Sequence, residues 1–424
     1  MQMNLSKENF GLNPTLLTNI VFSLFPVSFI IGNSAVNINF FLFCCLGIYH
    51  LRSKILIRKF DLPLKVIFIF FLLVLFSTSL NLAISLYSGE YEESDFFRFI
   101  KSILFFRYFL ILLIVYLLSD LDIISYKLFF LIAAFFPILI SIDVIFQYIF
   151  GFNFLGFKGM TRHNPSFFLD ELISGGYIQN FSFFSIFFLT NIIRKYNNFF
   201  KIFISIFIIS ILAIGIMLSG NRIPFFLFLI GLLFLFFFLK DFKKILLISY
   251  FTIYVIFGFI TSSDSNMRNH YGGFFENLKD SAVHLPKKIK NSLLSIVKDN
   301  EEFQKKDKWG ADQPMLDSSG NPTIIDLELH PYKKLTLTAL EVWKSNKIFG
   351  NGIKSFRFEC HKIVNEQKRG LCSSHPHNYY MEILVDLGIL GLICLTTIGL
   401  IFLVFIKKNY KIFKKENNLQ NLLL

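Results

Sequence analysis

The stretch "SSHPHNYYMEILVDLGILGL", residues 373–392, decides how the whole chain is interpreted. It places two histidines, His375 and His377, together with Asn378 directly before a long apolar run. A helix needs roughly 20 apolar residues to cross the hydrocarbon core of a bilayer. Titratable groups at the start of such a run predict a polar site at one boundary of a membrane.

The composition extends this interpretation to all 424 residues, of which 54% are hydrophobic. A soluble domain of this length cannot bury so much apolar surface. The net charge of +13 would fit nucleic-acid binding, but basic loops on one side of a bilayer explain it more simply. We therefore predict an all-α polytopic membrane protein with about ten transmembrane helices and one large external loop that carries short helices. The predicted spans are 15–31, 36–50, 63–88, 99–118, 126–149, 172–192, 199–218, 223–239, 245–262 and 384–406.

Lysines and arginines set the predicted orientation, because cytoplasmic loops carry an excess of them. When the spans are counted in order, the basic loop 51–65 and the basic segment 407–424 fall on the same side, whereas the loop "GEYEES" on the other side is acidic. Both termini are thus predicted to be cytoplasmic. The predicted organisation is a nine-span bundle over 1–262, an extracytoplasmic loop over 263–377, a last transmembrane helix over 378–406 and a basic tail over 407–424.

Two of the five cysteines, Cys360 and Cys372, lie twelve residues apart in the predicted external loop. An external compartment is oxidising, so a disulfide is expected between them, and two unpaired thiols are the alternative.

Basic side chains at the edges of spans are energetically costly in lipid, so they usually face a cavity. Arg222, in "LSGNRIPF", stands at an external turn where a helix begins, which suits a phosphate group; an arginine that reaches lipid head groups is the alternative. Arg98, Lys101 and Arg107 recur along one span and predict a cationic stripe for a lipid phosphate. For Arg107, a buried pair with Asp143 is the alternative.

The external loop supplies further candidates in "IFGNGIKSFRFEC", where two glycines precede Arg357, and in the opening stretch itself. His377 at a wet membrane surface is a candidate general base, and a surface histidine at a helix start is the alternative. Glu382 and Asp386 share one helical face and complement the helix dipole. Gly388 and Gly391 are expected to allow close helix packing.

These motifs resemble those of a known family. "HNYYMEILVDLGILG" reads His-Asn, nine residues, Gly-x-x-Gly, which resembles the hallmark of the O-antigen ligase and O-antigen polymerase superfamily of bacterial inner-membrane glycosyltransferases. "NKIFGNGIKSF" is similar to the Gly-x-Gly segment upstream in the family's periplasmic loop. "LSGNRIPFF" is similar to its Ser-x-Ser-Arg segment, with Asn221 in place of serine. Family members usually continue with further spans beyond this point, which leaves a reduced member or a truncated chain as alternatives.

The resemblance implies a metal-independent transferase that uses no cofactor and acts at the periplasmic face, with undecaprenyl-pyrophosphate-linked glycan as donor and a lipid A core sugar or a lipid-linked glycan as acceptor. His377 matches the family's essential histidine, and Arg222 and Arg357 would hold the leaving pyrophosphate. The remaining candidates for substrate binding are Arg98, Lys101, Arg107, Asp170, Glu171, His375, Asn378 and Glu382. Besides these substrates the expected partners are membrane lipids, and no nucleic acid.

Three functions remain open at this point. A ligase is favoured over a polymerase of the same superfamily because the chain has a single clear histidine in the motif. A transporter, with Arg107 and Asp143 in mid-membrane, is less consistent with the sequence, because no inverted repeats are visible.

Overall fold

A computed structural model describes residues 13–52, 60–160, 163–169, 171–192, 198–238, 242–273, 331–367 and 371–416. Over these residues the protein is built from α-helices, and an isolated antiparallel bridge joins Phe152 to Lys158. This confirms the predicted all-α class. The helices are α1 Pro14–Ser23, α2 Phe25–Ile31, α3 Asn33–Leu51, α4 Leu62–Ser88, α5 Glu93–Asp120, α6 Tyr126–Phe150, α7 Ser174–Ile192, α8 Asn198–Leu218, α9 Arg222–Phe238, α10 Lys243–Ser263, α11 Pro331–Ser345, α12 Phe356–Gln367 and α13 Tyr379–Glu416.

Each predicted span overlaps one helix of the structure, except 15–31, which covers the two helices α1 and α2. In the described part of the chain, 7 helices are long and apolar enough to cross a membrane, or 8 if the bent pair α1 and α2 forms one span. That pair bends by 49° at Leu24, next to Pro26, which cannot donate a helical hydrogen bond. The exact count of ten stays a prediction, because α7 is not among these helices and α9, although apolar, has only 17 residues.

The helices form two compact units. The first comprises residues 1–52 and 114–292 and contains α1 to α3 and α6 to α10. Its centre is tight: a Cβ added at Gly215 of α8 would lie 2.5 Å from the Cβ of Ser141 on α6. The glycine therefore lets these two helices approach closely.

The second unit comprises residues 53–113 and 293–424, and contains α4, most of α5, and α11 to α13. The short amphipathic helices α11 and α12 pack on the start of α13 around one apolar core. The buried residues of this core are Leu335, Ala339, Val342, Phe356, Cys360 and Val385. This division follows packing, so the predicted division of the chain by side of the membrane stays a prediction.

Candidate functional site

Helix α13 is interrupted at Gly388, whose backbone adopts φ 63° and ψ −161°. In an unbroken helix, the N–H groups of Ile389 and Leu390 would donate to the carbonyl oxygens of Val385 and Asp386. Here a segment that precedes α12 in the chain, residues 346–355, supplies the missing partners instead. Its four bonds, as N···O distances, are Asn351 to Val385 at 2.9 Å, Gly352 to Asp386 at 2.9 Å, Ile389 to Lys347 at 3.0 Å and Leu390 to Ile348 at 3.4 Å.

Glycines make this insertion possible. A Cβ added at Gly388 would lie 2.2 Å from the carbonyl oxygen of Ile348, and one added at Gly350 would lie 2.4 Å from the backbone of Asp386. Both glycines also have positive φ, which side chains disfavour. Gly388 was expected to admit a neighbouring helix, and that expectation is corrected here: it admits the 346–355 segment.

Asp386 is buried at this junction and accepts three hydrogen bonds. Its carboxylate oxygens lie 2.8 Å from the backbone nitrogen of Lys354, and 3.1 Å and 2.8 Å from the backbone nitrogen and Oγ of Ser355. The carboxylate of α13 therefore satisfies backbone donors at the start of α12. The prediction that Asp386 shares a helical face with Glu382 and complements the helix dipole did not include this role, because the partners are about thirty residues away in the chain.

Arg98 is buried, and its guanidinium is committed to protein groups. It forms an ion pair with Asp95, lies 3.7 Å from Oε1 of Glu359, and donates to the carbonyl oxygen of Asn351 at 3.2 Å. These contacts join α5 to α12 and to the inserted segment. They give Arg98 a role in holding the loop in place, and its role in binding lipid phosphate stays a prediction.

Three other cations belong to the second unit, and two of them, Lys354 of the inserted segment and Arg357 of α12, each lie close enough to Lys101 of α5 to repel its charge. Nε of Arg357 is buried and has no hydrogen-bond partner among the described residues. The structure thus brings the predicted Lys101 and Arg357 together and adds Lys354, which was not among the predicted site residues. Arg107 instead contacts Tyr108, donating to its hydroxyl at 3.1 Å.

A cluster of like charges is electrostatically unfavourable unless a counter-charge joins it. Three carboxylates of this unit are engaged elsewhere: Asp95 with Arg98, Glu359 with Arg98 and Lys362, and Asp386 with the backbone of the inserted segment. The arrangement therefore suits an anionic ligand with several oxygens, such as a phosphate or pyrophosphate.

His377 lies just before α13, in an exposed position with φ 54°. Asn378 caps the helix, since its Oδ1 accepts from the backbone nitrogens of Tyr380 at 3.0 Å and Met381 at 3.3 Å. The ring centroids of His375 and His377 are 4.1 Å apart. Partial desolvation and the neighbouring His375 charge both hold the pKa of His377 below its ordinary value. Its imidazole is therefore neutral at pH 7 and able to accept a proton.

A disulfide joins Cys360 of α12 to Cys372, with Cα atoms 5.4 Å apart. It ties α12 to the short segment that leads to His377. Because Cys360 also lies in the apolar core, the bond restrains both Arg357, on the first turn of α12, and the approach to His377.

Arg222 begins α9 in the first unit. Its Nη1 donates to the backbone carbonyl of His270 at 3.2 Å, and Nε2 of His270 lies 2.9 Å from the carbonyl oxygen of Gly220. The side-chain oxygen of Asn221 accepts from the backbone nitrogen of Gly175 at 3.0 Å. The ring of His163 lies 5.6 Å from that of His270. Neither histidine belongs to a recognisable sequence motif, so sequence reasoning missed them.

The remaining candidates are placed as follows. Asp170 lies outside the described residues, and Glu171 is exposed beside it. Glu382 is half-buried on the first turn of α13. Asp143 is buried in the first unit, where its carboxylate accepts from Oγ of Ser166 at 2.5 Å and from the backbone nitrogen of Phe154 at 2.8 Å. It therefore holds the loop that follows α6 and behaves as a structural residue.

Comparison with known proteins gives one match. The family model described as O-antigen ligase matches residues 205–396, which include Arg222, Arg357, His377 and the break in α13. Neither the curated proteins nor the solved structures include a match. The matched region carries the motifs that suggested the resemblance, and the match supports a relationship between this multi-pass membrane protein and the O-antigen ligase/polymerase superfamily.

Proposed function

We propose that this protein is an O-antigen ligase that moves a glycan from undecaprenyl pyrophosphate to a sugar hydroxyl of the lipid A core, without a metal ion. The superfamily indicates ligase- or polymerase-type transfer of a lipid-linked glycan. The proposal places the reaction at the periplasmic face of a bacterial inner membrane, with both termini in the cytoplasm. The observation that carries it is the cationic cluster Lys101, Lys354 and Arg357 in the same compact unit as a histidine of lowered pKa.

In the proposed reaction, Nδ1 or Nε2 of His377 removes the proton of the acceptor hydroxyl. The hydroxyl oxygen then forms a bond to the anomeric carbon of the donor glycan, and the bond from that carbon to the phosphate oxygen breaks. The electron pair leaves with undecaprenyl pyrophosphate, and the proton stays on the imidazole until solvent removes it. Neutral imidazole is the form that this step requires, and the lowered pKa of His377 favours it.

The cationic cluster would stabilise the charge that develops on the leaving pyrophosphate. A guanidinium grips two phosphate oxygens at once, whereas a lysine supplies a point charge. Such groups act most strongly where water is excluded, and the buried Nε of Arg357 has this character. Arg222, in the first unit, stays a candidate for binding a phosphate group, as the family resemblance implies. Asp170, Glu171 and Glu382 stay candidates for binding sugar hydroxyls.

Replacing Arg357 with lysine tests the pyrophosphate role. The charge is kept but the two-pronged contact is lost, so we expect the KM for lipid-linked donor to rise about tenfold. The measurement is transfer by purified full-length protein from lipid-linked donor to lipid A core acceptor. Arg268→Lys is the matched control, because the Arg268 guanidinium is exposed and its hydrogen bonds to described residues go to the backbone carbonyls of Thr261, at 3.0 Å, and Ser262.

The same assay separates the two activities of the superfamily. A single glycan added to each lipid A core supports the ligase. Products that grow by several repeat units on a lipid-linked acceptor would assign the polymerase instead.

An unchanged donor KM in Arg357→Lys contradicts the proposed pyrophosphate site.

Removing His375 tests the proposed base through its pH dependence. The charge of His375 lowers the pKa of His377, so His375→Asn should raise that pKa. At mildly acidic pH a larger share of His377 then carries a proton and cannot act as a base. We expect the acidic limb of the pH–rate profile to move to higher pH, with the rate at pH 8 nearly unchanged. An unshifted acidic limb would show that another group controls it.

A further inference from the structure

At the break in α13, the Asp386 carboxylate bonds to the residues that lead into α12, and α12 carries Arg357 of the proposed pyrophosphate site. We infer that Asp386 is a positioning residue, whose carboxylate sets the direction of Lys354 and Arg357 towards the pyrophosphate. This inference rests on the proposed function, because it assigns Asp386 a role in the site described there. Asp386 does not itself touch the ligand.

The first step is the fixed connection between Asp386 and the start of α12. The carboxylate bonds to the backbone nitrogens of Lys354 and Ser355 and to Oγ of Ser355, over 2.8 to 3.1 Å. Lys354 is therefore held through its own backbone, in a left-handed conformation with φ 57°. Arg357 follows on the first turn of the helix that these bonds anchor. A capping carboxylate of this kind usually comes from the same chain segment, whereas here it comes from α13.

The second step is the rigidity of the carboxylate's own backbone. The carbonyl oxygen of Asp386 accepts from Oγ of Ser77 on α4 at 2.9 Å and from the backbone nitrogen of Gly352 at 2.9 Å. Asn81 of α4 also donates to the carbonyl of Gly350 at 2.9 Å. Asp386 is thus held by α4 and by the inserted segment, and it cannot shift without disturbing both.

The third step is that charge balance alone does not explain a carboxylate here. Among the described residues, no lysine or arginine side chain forms an ion pair with the Asp386 carboxyl group. Its bonds are all directed at backbone donors and at Ser355, and none is made to Lys354 Nζ or to Arg357. The Asp386 carboxylate therefore acts by fixing the positions of Lys354 and Arg357. Removing it should raise the Kd for the ligand.

The experiment measures binding of radiolabelled inorganic pyrophosphate to the full-length protein in nanodiscs of neutral phospholipid. Asp386→Asn keeps the size of the side chain, but its amide group would point hydrogens at donors that need an acceptor. We expect the Kd for pyrophosphate to rise about tenfold, as for Arg357→Lys. The double variant should be little weaker than either single variant, because both act on the same contact. Glu341→Gln is the matched control, since Glu341 pairs with Lys344 on α11 at 2.9 Å, outside this junction.

Each outcome decides one of the two proposals. An unchanged Kd in Asp386→Asn, with a raised Kd in Arg357→Lys, overturns the positioning role and leaves the pyrophosphate site intact. Effects that multiply in the double variant overturn it as well, because they would mean independent action. An unchanged Kd in Arg357→Lys contradicts the proposed site itself. Ser355→Ala removes only one of the three bonds and should raise the Kd about threefold; it serves if Asp386→Asn does not fold, and an unchanged Kd there also overturns the role.

Discussion

Replacing His377 with glutamine is expected to lower kcat by about two to four orders of magnitude. Glutamine keeps a polar side chain of similar size, but it cannot accept the proton of the attacking hydroxyl. The donor KM should change little, because the imidazole acts in the chemical step and the cationic cluster Lys101, Lys354 and Arg357 is untouched. The measurement is steady-state transfer by purified protein from lipid-linked donor to acceptor, with the amount of folded protein checked by gel filtration.

A second histidine controls for the substitution itself. His361 is exposed on α12 and lies outside the proposed chemistry, so His361→Gln should keep nearly full kcat. Loss of activity in both variants to the same degree would point to damage to the loop. Full activity in His377→Gln would remove the proposed base from the mechanism.

Replacing Gly388 with alanine should abolish transfer and lower thermal stability together. The backbone at φ 63° and ψ −161° lies in a region that is essentially restricted to glycine, and it costs another residue about 1–3 kcal/mol. The added methyl would also lie 2.2 Å from the carbonyl oxygen of Ile348, so the inserted segment has to move away. Movement breaks the bonds that Ile389 and Leu390 make to that segment and leaves their N–H groups unsatisfied. The measurements are the apparent Tm in detergent and transfer by the remaining folded protein.

The same helix contains a matched control. A Cβ added at Gly399 of α13 would meet no atom within 4 Å, and that residue has ordinary helical geometry. Gly399→Ala should therefore leave Tm unchanged or raise it slightly, because alanine is the better helix former. Equal losses in the two variants would show that α13 tolerates no substitution of glycine, and the argument from the break would fail.

Hydropathy was sufficient to predict the helices of this protein. The span predicted at 63–88 is helix Leu62–Ser88, and the span predicted at 126–149 is Tyr126–Phe150. A long apolar run has few alternatives in lipid, because its backbone must satisfy its own hydrogen bonds. The break at Gly388 could not be predicted in this way, since the run 384–406 is apolar throughout and the break depends on a segment about forty residues upstream.

Site residues that belong to sequence motifs could be predicted from the sequence. Site residues whose role depends on contacts with distant parts of the chain could not. His377 and Arg357 follow from the motifs "HN" and "GNGIKSFR". The spacing of Arg98 from Lys101 and Arg107 predicts a cation that binds lipid phosphate. Its partner Glu359 could not be predicted, because it is more than 250 residues away in sequence. Lys354 looks like an ordinary loop residue until the fold brings it near Lys101. The role of Asp386 likewise becomes visible only from the hydrogen bonds that its carboxylate accepts from the backbone of Lys354 and Ser355.

The inserted segment constrains the order in which the chain is assembled. Residues 346–355 leave the ribosome before Gly388 does, so the groups that complete α13 already exist when the helix is made. They must reach the same side of the bilayer as the first turns of α13, since otherwise four backbone groups would enter lipid without partners. Biogenesis of the last helix is therefore coupled to translocation of the loop that precedes it.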